Sequence, residues 1–346
     1  MKSYLFLCLG ALLAVGQVQA SPEEEQAEGL IKKGDAFMER SSFKKAEESF
    51  RDAIRANPDS AKAHERLGAA LAADADYETS ILEEKTAMKL DPKYFLAHVI
   101  LGQVYANQGK PKDAVSEFKQ AVELKPTSFG SHLDLGIALL KCGEIDQSIG
   151  AFKKASSLKP ENPVPHLNLG ILLAKKGNLK EAISEEQQAI TINKRIPEAY
   201  INLGNIYIDA GDIDQSMDAF KHALSLSPDH PNALSGLGWG QSQKGFVKEG
   251  MKLQRKAIAN YHNFIPAHVR LADLLFKSGD KAQAEAEYKL ALKISPMDVT
   301  AGTAYARFLE KSGQKEQART QYKKVLEISP QFKPAAEGLA ALEGSK

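Results

Sequence analysis

Apolar residues recur along this chain in a pattern that restarts every 34 positions. The stretch 129–162, FGSHLDLGIALLKCGEIDQSIGAFKKASSLKPEN, is the clearest copy. It reads as two short amphipathic helices, neither able to bury its apolar face alone. Holding that register gives nine copies without a gap: 27–60, 61–94, 95–128, 129–162, 163–196, 197–230, 231–264, 265–298 and 299–332. Position 8 is always small, running from Gly34 through Gly136 and Gly238 to Ala272 and Ala306. Position 27 is alanine from Ala53 to Ala291 and Val325 in the last copy. Position 32 is proline in seven copies, from Pro58 to Pro330.

Each recurring residue has a physical reason. Small residues at positions 8 and 27 let two helix backbones approach closely, while large side chains at positions 4, 7, 11 and 24, such as Leu135, Leu139 and Phe152, fill the space around them. Position 15 is glycine in seven copies, Gly109 through Gly313, where the first helix must end in a left-handed residue. Proline at position 32 stops the second helix because it cannot continue the hydrogen-bond ladder. Lys194 and His262 replace that proline, so those two helices are expected to run on or end loosely. Copy 7 departs most, with Gln241, Gly250 and Gln254 at positions 11, 20 and 24 and Gly236, Gly238 and Gly240 within one helix. Helix-interior glycine costs up to about 1 kcal/mol against alanine, so copy 7 reads as a soft joint.

The pattern large–x2–Leu-Gly–x2–aromatic/Leu, then Ala–x3–Phe–x2–Ala–x4–Pro, resembles that of tetratricopeptide repeat proteins, and it covers 27–332. The resemblance implies an all-α fold: a right-handed superhelical solenoid of helix-turn-helix units whose first helices line a concave groove. It also implies a non-enzymatic scaffold that binds peptides or proteins and needs no cofactor. The first copy suits a solvent-facing cap, and residues 333–346 supply a C-terminal capping helix and tail.

With positions 4, 7, 8 and 11 packed, a helix advancing about 100° per residue turns positions 2, 5, 6, 9, 12 and 13 the other way. That face is expected to be polar, yet copies 3–6 carry an aliphatic stripe beside an Asp/Asn row. Val99, Ile100, Leu133, Asp134, Ile137, Leu167, Asn168, Ile171, Ile201, Asn202 and Asn205 form this candidate peptide-binding surface. An exposed apolar strip marks an interaction surface, with Asn168 and Asn202 able to bond a ligand backbone. The alternative is that these residues pack adjacent first helices. Trp239, the sole tryptophan, is either a ligand anchor or a filler beside the glycines. Lys141 and Lys175 read as rim charges.

Residues 1–20 combine Lys2, an apolar run from Tyr4 to Val15 and the small-residue site Val18-Gln19-Ala20. This is the layout of a signal peptide, so the chain is expected to be exported, periplasmic or secreted, with an uncut anchor as the alternative. Residues 21–26 read as an acidic linker. No later run is apolar enough to span a membrane. Formal net charge is +1, and losing Lys2 leaves the remainder near neutral, which argues against a general affinity for nucleic acid. Of two cysteines, Cys8 lies in the leader and Cys142 reads as a packing residue.

Position 4 is histidine in five copies, His64, His98, His132, His166 and His268. Copies lie roughly 10 Å apart, too far to share a metal, so these are expected to pack, with mild acid sensitivity if buried imidazoles resist charging. The pairs Glu83-Glu84 and Glu185-Glu186 read as solvated second-helix faces. The expected function is recognition of an apolar protein segment, possible roles being cell-envelope assembly or secretion. The alternative is a structural subunit that self-associates through convex or end surfaces.

Overall fold

A computed structural model of the chain describes residues 21–344. The leader expected at 1–20, Cys8 with it, lies outside them. Among the described residues there are nineteen α-helices and no strand. In chain order they are α1 (Pro22–Glu39), α2 (Phe43–Ala56), α3 (Ala61–Ala73), α4 (Tyr77–Leu90), α5 (Phe95–Asn107), α6 (Pro111–Leu124), α7 (Phe129–Lys141), α8 (Ile145–Leu158), α9 (Val164–Lys175) and α10 (Leu179–Ile192). They continue as α11 (Pro197–Asp209), α12 (Ile213–Leu226), α13 (Pro231–Gln243), α14 (Val247–Asn260), α15 (Ile265–Lys277), α16 (Lys281–Ile294), α17 (Val299–Lys311), α18 (Lys315–Ile328) and α19 (Lys333–Gly344). Within each of the two units described below, odd-numbered helices pack on the even-numbered helices that follow them and also touch the next odd-numbered helix, as α9 does α10 and α11. The fold is an all-α repeat solenoid.

Local chemistry sets the helix ends. Position 15 is left-handed throughout; Gly211 has φ +80° and Gly245 +91°. Ser41 and Ala75 occupy the same position in the first two copies and take φ of 52° and 63°, a conformation that costs a side-chain-bearing residue about 1 kcal/mol. Two expectations change. The acidic stretch after residue 20 is not a linker: Ser21 caps α1 in a capping box with Glu24, and Glu23, Glu24 and Glu25 fill the first turn. Their negative charge complements the positive N-terminal end of the helix dipole. Helices α10 and α14, which lack the following proline, stop after 14 residues like their neighbours. Extended backbone at Asn193, and a turn in which Phe264 N–H donates to the Tyr261 carbonyl, end them without it.

The helices gather into two units, one ending at Ala151 and one beginning at Phe152. In the first, Phe50, Leu67 and Leu71 form one core and Phe118, Leu135 and Leu139 another. Cys142 packs at the edge of the latter as a free thiol. In the second, Tyr288, Tyr305, Phe308 and Tyr322 build an aromatic core, with the Phe276 and Phe308 rings edge to face at 5.1 Å. Burying each such ring contributes about 2–3 kcal/mol. The glycines of α13 are places of close approach. A Cβ on Gly236 would sit 2.3 Å from the Phe220 ring, and one on Gly238 would sit 3.0 Å from the Gly250 carbonyl. The sequence cost of these glycines is therefore offset by packing that no larger residue permits.

Candidate functional site

Two kinds of site arise from the repeat register: the space beneath position 8 of each first helix, and the hollows between successive first helices.

Beneath position 8 sits the side chain of position 24. Phe50, Phe118 and Phe220 fill it under Gly34, Gly102 and Gly204. Under Gly68 and Gly170 the occupants are Glu84 and Glu186, each 0% exposed. The reading of these glutamates as solvated is overturned, because register position outweighs residue type here. All four of their carboxyl oxygens are buried without a hydrogen-bond partner. Burial, reinforced by the charges of Glu65 and Glu83, pushes the Glu84 carboxyl up to about 10. Burial pushes Glu186 up to about 9; the Asn202 amide beside it offsets part of the rise without reaching hydrogen-bond geometry. Both are neutral acids at pH 7. Gln254 holds the same place under Gly238 and is half satisfied: its Nε2 donates to the Ser235 carbonyl at 2.9 Å, while its Oε1 is buried without a partner.

The neighbouring glutamates have a separate job. Glu83 accepts from His64 Nδ1 at 2.6 Å, and the pattern repeats at His98–Glu117 (2.8 Å), His166–Glu185 (2.6 Å) and His268–Glu287 (2.7 Å). Each pair ties the first helix of a repeat to the second. The Glu83 contact raises the His64 pKa against the opposing effect of burial, so at His64 the expected acid sensitivity has the wrong sign. Among the described residues no group of three His, Cys, Asp or Glu is placed to hold a metal. Nor is any described helix long and apolar enough to cross a membrane.

Three hollows lie at equivalent register positions. The first, about 320 Å³, lies between α5 and α7, with Gln103 and Asn107 on one wall, Asp134, Ile137 and Lys141 on the other, and Phe118 among its lining. Gln103 Nε2 donates to Asp134 at 3.1 Å, and burial raises the Asp134 carboxyl despite that bond. The second, about 300 Å³, lies between α9 and α11 and is lined by Ile171, Ala174, Lys175, Asn202, Asn205, Ile206 and Asp209. The third, about 130 Å³, lies between α13 and α15, with Trp239, Ser242 and Gln243 facing Arg270, Asp273, Leu274 and Lys277.

Of the residues expected on the binding face, Asp134 and Ile137 share the first hollow, Ile171, Asn202 and Asn205 the second, and Trp239 lines the third. Ile137 and Ile171 are each 38% exposed, high for isoleucine. Val99, Ile100, Leu133, Leu167 and Asn168 are half-buried on the same helices, outside the hollow linings. Asn168 spends its amide on its own helix, donating to the Val164 carbonyl at 2.8 Å. Ile201 is a correction: at 5% exposed it belongs to the core with Phe220, Ala223 and Ala233, because its own repeat's second helix, α12, and the next first helix, α13, close over position 5 there. Sequence reasoning missed Arg270 and Asp273. They fall at positions 6 and 9 of copy 8, the positions that gave Asn202 and Asn205 in copy 6, and the same register would have found them.

Known proteins agree with this architecture. Residues 20–307 match the family described as cilia and flagella-associated protein 70 C-terminal domain, and residues 275–342 match the tetratricopeptide repeat. No curated protein matches the chain. A tetratricopeptide repeat protein from Parabacteroides merdae superimposes with a TM-score of 0.64 at 17% identity, over 72% of this chain and 98% of that one. The Cut9–Hcn1 hetero-tetramer of APC/C gives 0.57 at 16% identity, over 94% of this chain and 78% of that one. YrrB, described as a TPR protein with an unusual peptide-binding site, gives 0.50 at 23% identity, over 54% of this chain and 95% of that one. These likenesses are of fold. With its tandem helix pairs and a family match across most of its length, the chain belongs to the tetratricopeptide-repeat family of the cilia and flagella-associated protein 70 C-terminal domain.

Proposed function

We propose that this chain is a non-enzymatic scaffold of nine repeats that holds an apolar segment of another protein against its first helices. The observation that carries the reading is the pair of hollows α5/α7 and α9/α11. Each pairs an isoleucine, Ile137 or Ile171, left 38% exposed, with amides and a lysine at the rim. An apolar surface rimmed by polar groups is the composition of a protein-binding patch. The peptide site of YrrB, a protein of the same fold, supports the reading by analogy. A segment bound here would bury an aliphatic side chain in each hollow and offer its backbone to Asn205 or Gln103. The signal-like residues 1–20 support an exported location, periplasmic or secreted, with a role in envelope assembly or secretion.

The test is affinity capture with wild-type protein and with Ile137→Asp and Ile171→Asp. Both side chains are exposed enough for the charge to be tolerated in the fold. A partner that is retained by wild type and lost from both variants supports the groove. A partner retained by both sinks it and favours convex or end contacts, for which light scattering of the protein alone reports self-association.

A further inference from the structure

The third hollow differs in chemistry from the other two. Trp239 forms one wall, and Arg270 and Lys277 rise from the other. One repeat further on, α17 carries Arg307 and Lys311 at the register positions that Asp273 and Lys277 hold on α15, and the two helices are in contact. Arg307, Lys311 and Arg270 all lie close enough to Asp273 to act on its charge. Positions 6, 9, 12 and 13 of α15 and α17 thus hold four cations and two carboxylates. Both carboxylates accept from a tyrosine of the fold: Tyr288 OH donates to Asp273, which is itself exposed, and Tyr322 OH donates to half-buried Glu310 at 3.1 Å. Among the described residues none of the four cations makes an ion pair, whereas Lys289 on α16 pairs with Glu285 at 2.7 Å. The same positions on α9 and α11 carry one cation, Lys175, and one carboxylate, Asp209.

From this juxtaposition we propose that the face formed by α13, α15 and α17 is a separate docking site for an acidic protein segment. Its carboxylates lie along Arg270, Lys277, Arg307 and Lys311, and an aromatic or aliphatic side chain rests on Trp239. Cations without an ion-pair partner, one of which (Arg270) also donates through Nη1 to the Ser235 hydroxyl, are set at repeat spacing and match an extended chain with acidic side chains along it; guanidinium groups bind carboxylates in a fixed fork. An indole beside them supplies apolar contact area at low entropic cost. The site uses none of the residues of the aliphatic hollows, so it stands or falls independently of them.

Trp239 is the only tryptophan, so its fluorescence reports this site alone. The probe is the capped peptide acetyl-Glu-Glu-Phe-Glu-Glu-amide, which has no terminal carboxylate, titrated into the full chain beside its all-glutamine twin. The proposal expects a saturable change in Trp239 emission with the acidic peptide, weakened by salt, and binding of the twin at least tenfold weaker. The double variant Arg307→Gln/Lys311→Gln changes two exposed side chains. It should lose about tenfold in affinity for the acidic peptide, the scale of two partly screened charges. Lys323→Gln/Lys324→Gln on α18 should bind it as wild type does. Equal binding of the two peptides, no saturable change, or indifference to Arg307→Gln/Lys311→Gln would each overturn the proposal. So would a single-stranded RNA oligonucleotide that displaces the peptide at lower concentration, since the face would then be a phosphate-binding one.

Discussion

The regions around α9/α11 and α13/α15 share a backbone plan and differ in what lies behind it. Glycine at position 8 lies over a buried polar side chain in both: Gly170 over Glu186 and Gly238 over Gln254. Gln254 finds the Ser235 carbonyl, and Arg270 Nη1 donates to the Ser235 hydroxyl at 2.9 Å. Glu186 finds no hydrogen bond and stays neutral beside Asn202. Each orphaned buried polar atom costs about 1–3 kcal/mol, and Gln254 leaves one, Oε1, where Glu186 leaves both carboxyl oxygens. The repeat register therefore dictates shape, while the residue at position 24 decides how much stability that shape retains at a given pH.

Replacing Glu186 with Gln tests this contrast with the largest expected effect. The folded-state pKa of Glu186 is raised above its unfolded value. Its contribution is therefore fully present below pH 4.5 and is lost as pH rises toward about 9. Glu186→Gln should stabilise the protein by about 2–4 kcal/mol at pH 8 and by little at pH 4.5, read by denaturant unfolding at both values. Equal gains at the two pH values would break the account. Glu84→Gln should behave likewise, with its window reaching about 10.

The converse exchange, Gln254→Glu, removes the one amide donor that is satisfied and leaves both oxygens of the side chain orphaned. It should destabilise by about 2–3 kcal/mol at pH 8, seen as lost amide protection in α13 and α14. Unchanged protection there would mean that the Nε2 bond to Ser235 contributes nothing.

A smaller effect separates backbone from side chain. Ala75 takes the left-handed turn that Gly211 and Gly245 take in the two regions compared above. Ala75→Gly should raise stability by about 1 kcal/mol at every pH, and a pH-dependent gain would contradict a purely conformational cause.

The smallest effect concerns the His–Glu ties. His64 has a raised pKa through Glu83, with the Pro58 carbonyl and Asp59 also favouring its charged form. The tie stabilises fully below pH 6.5 and fades as pH rises through the raised value. His64→Gln should cost less than about 1 kcal/mol, after solvent screening, at pH 6 and less still at pH 8.5.

Much of this molecule was legible in its sequence. Gly at position 8 and Ala at position 27 fixed the helix pairs, because close approach admits only small residues. The exposed faces of Ile137 and Ile171 followed from the same 100° arithmetic. Ile201 did not, because position 5 lies at the edge of the packed face and its burial depends on how the neighbouring helices close. The glutamates were misread because residue type was allowed to outweigh position. Glu84 and Glu186 sit where Phe50 and Phe118 sit, and an acid in an aromatic slot is a buried acid. The start of helix α1 escapes the linker reading of 21–26 because three glutamates after a serine cap make a good first turn.

The central claim is that partner proteins bind in the hollows between first helices. It is tested most directly by placing a photo-crosslinking amino acid at position 171, within the α9/α11 hollow, and at position 226, where Leu226 is equally exposed on α12. The account predicts a discrete crosslinked partner from position 171 and none from 226. A partner captured from 226 and not from 171 would contradict it.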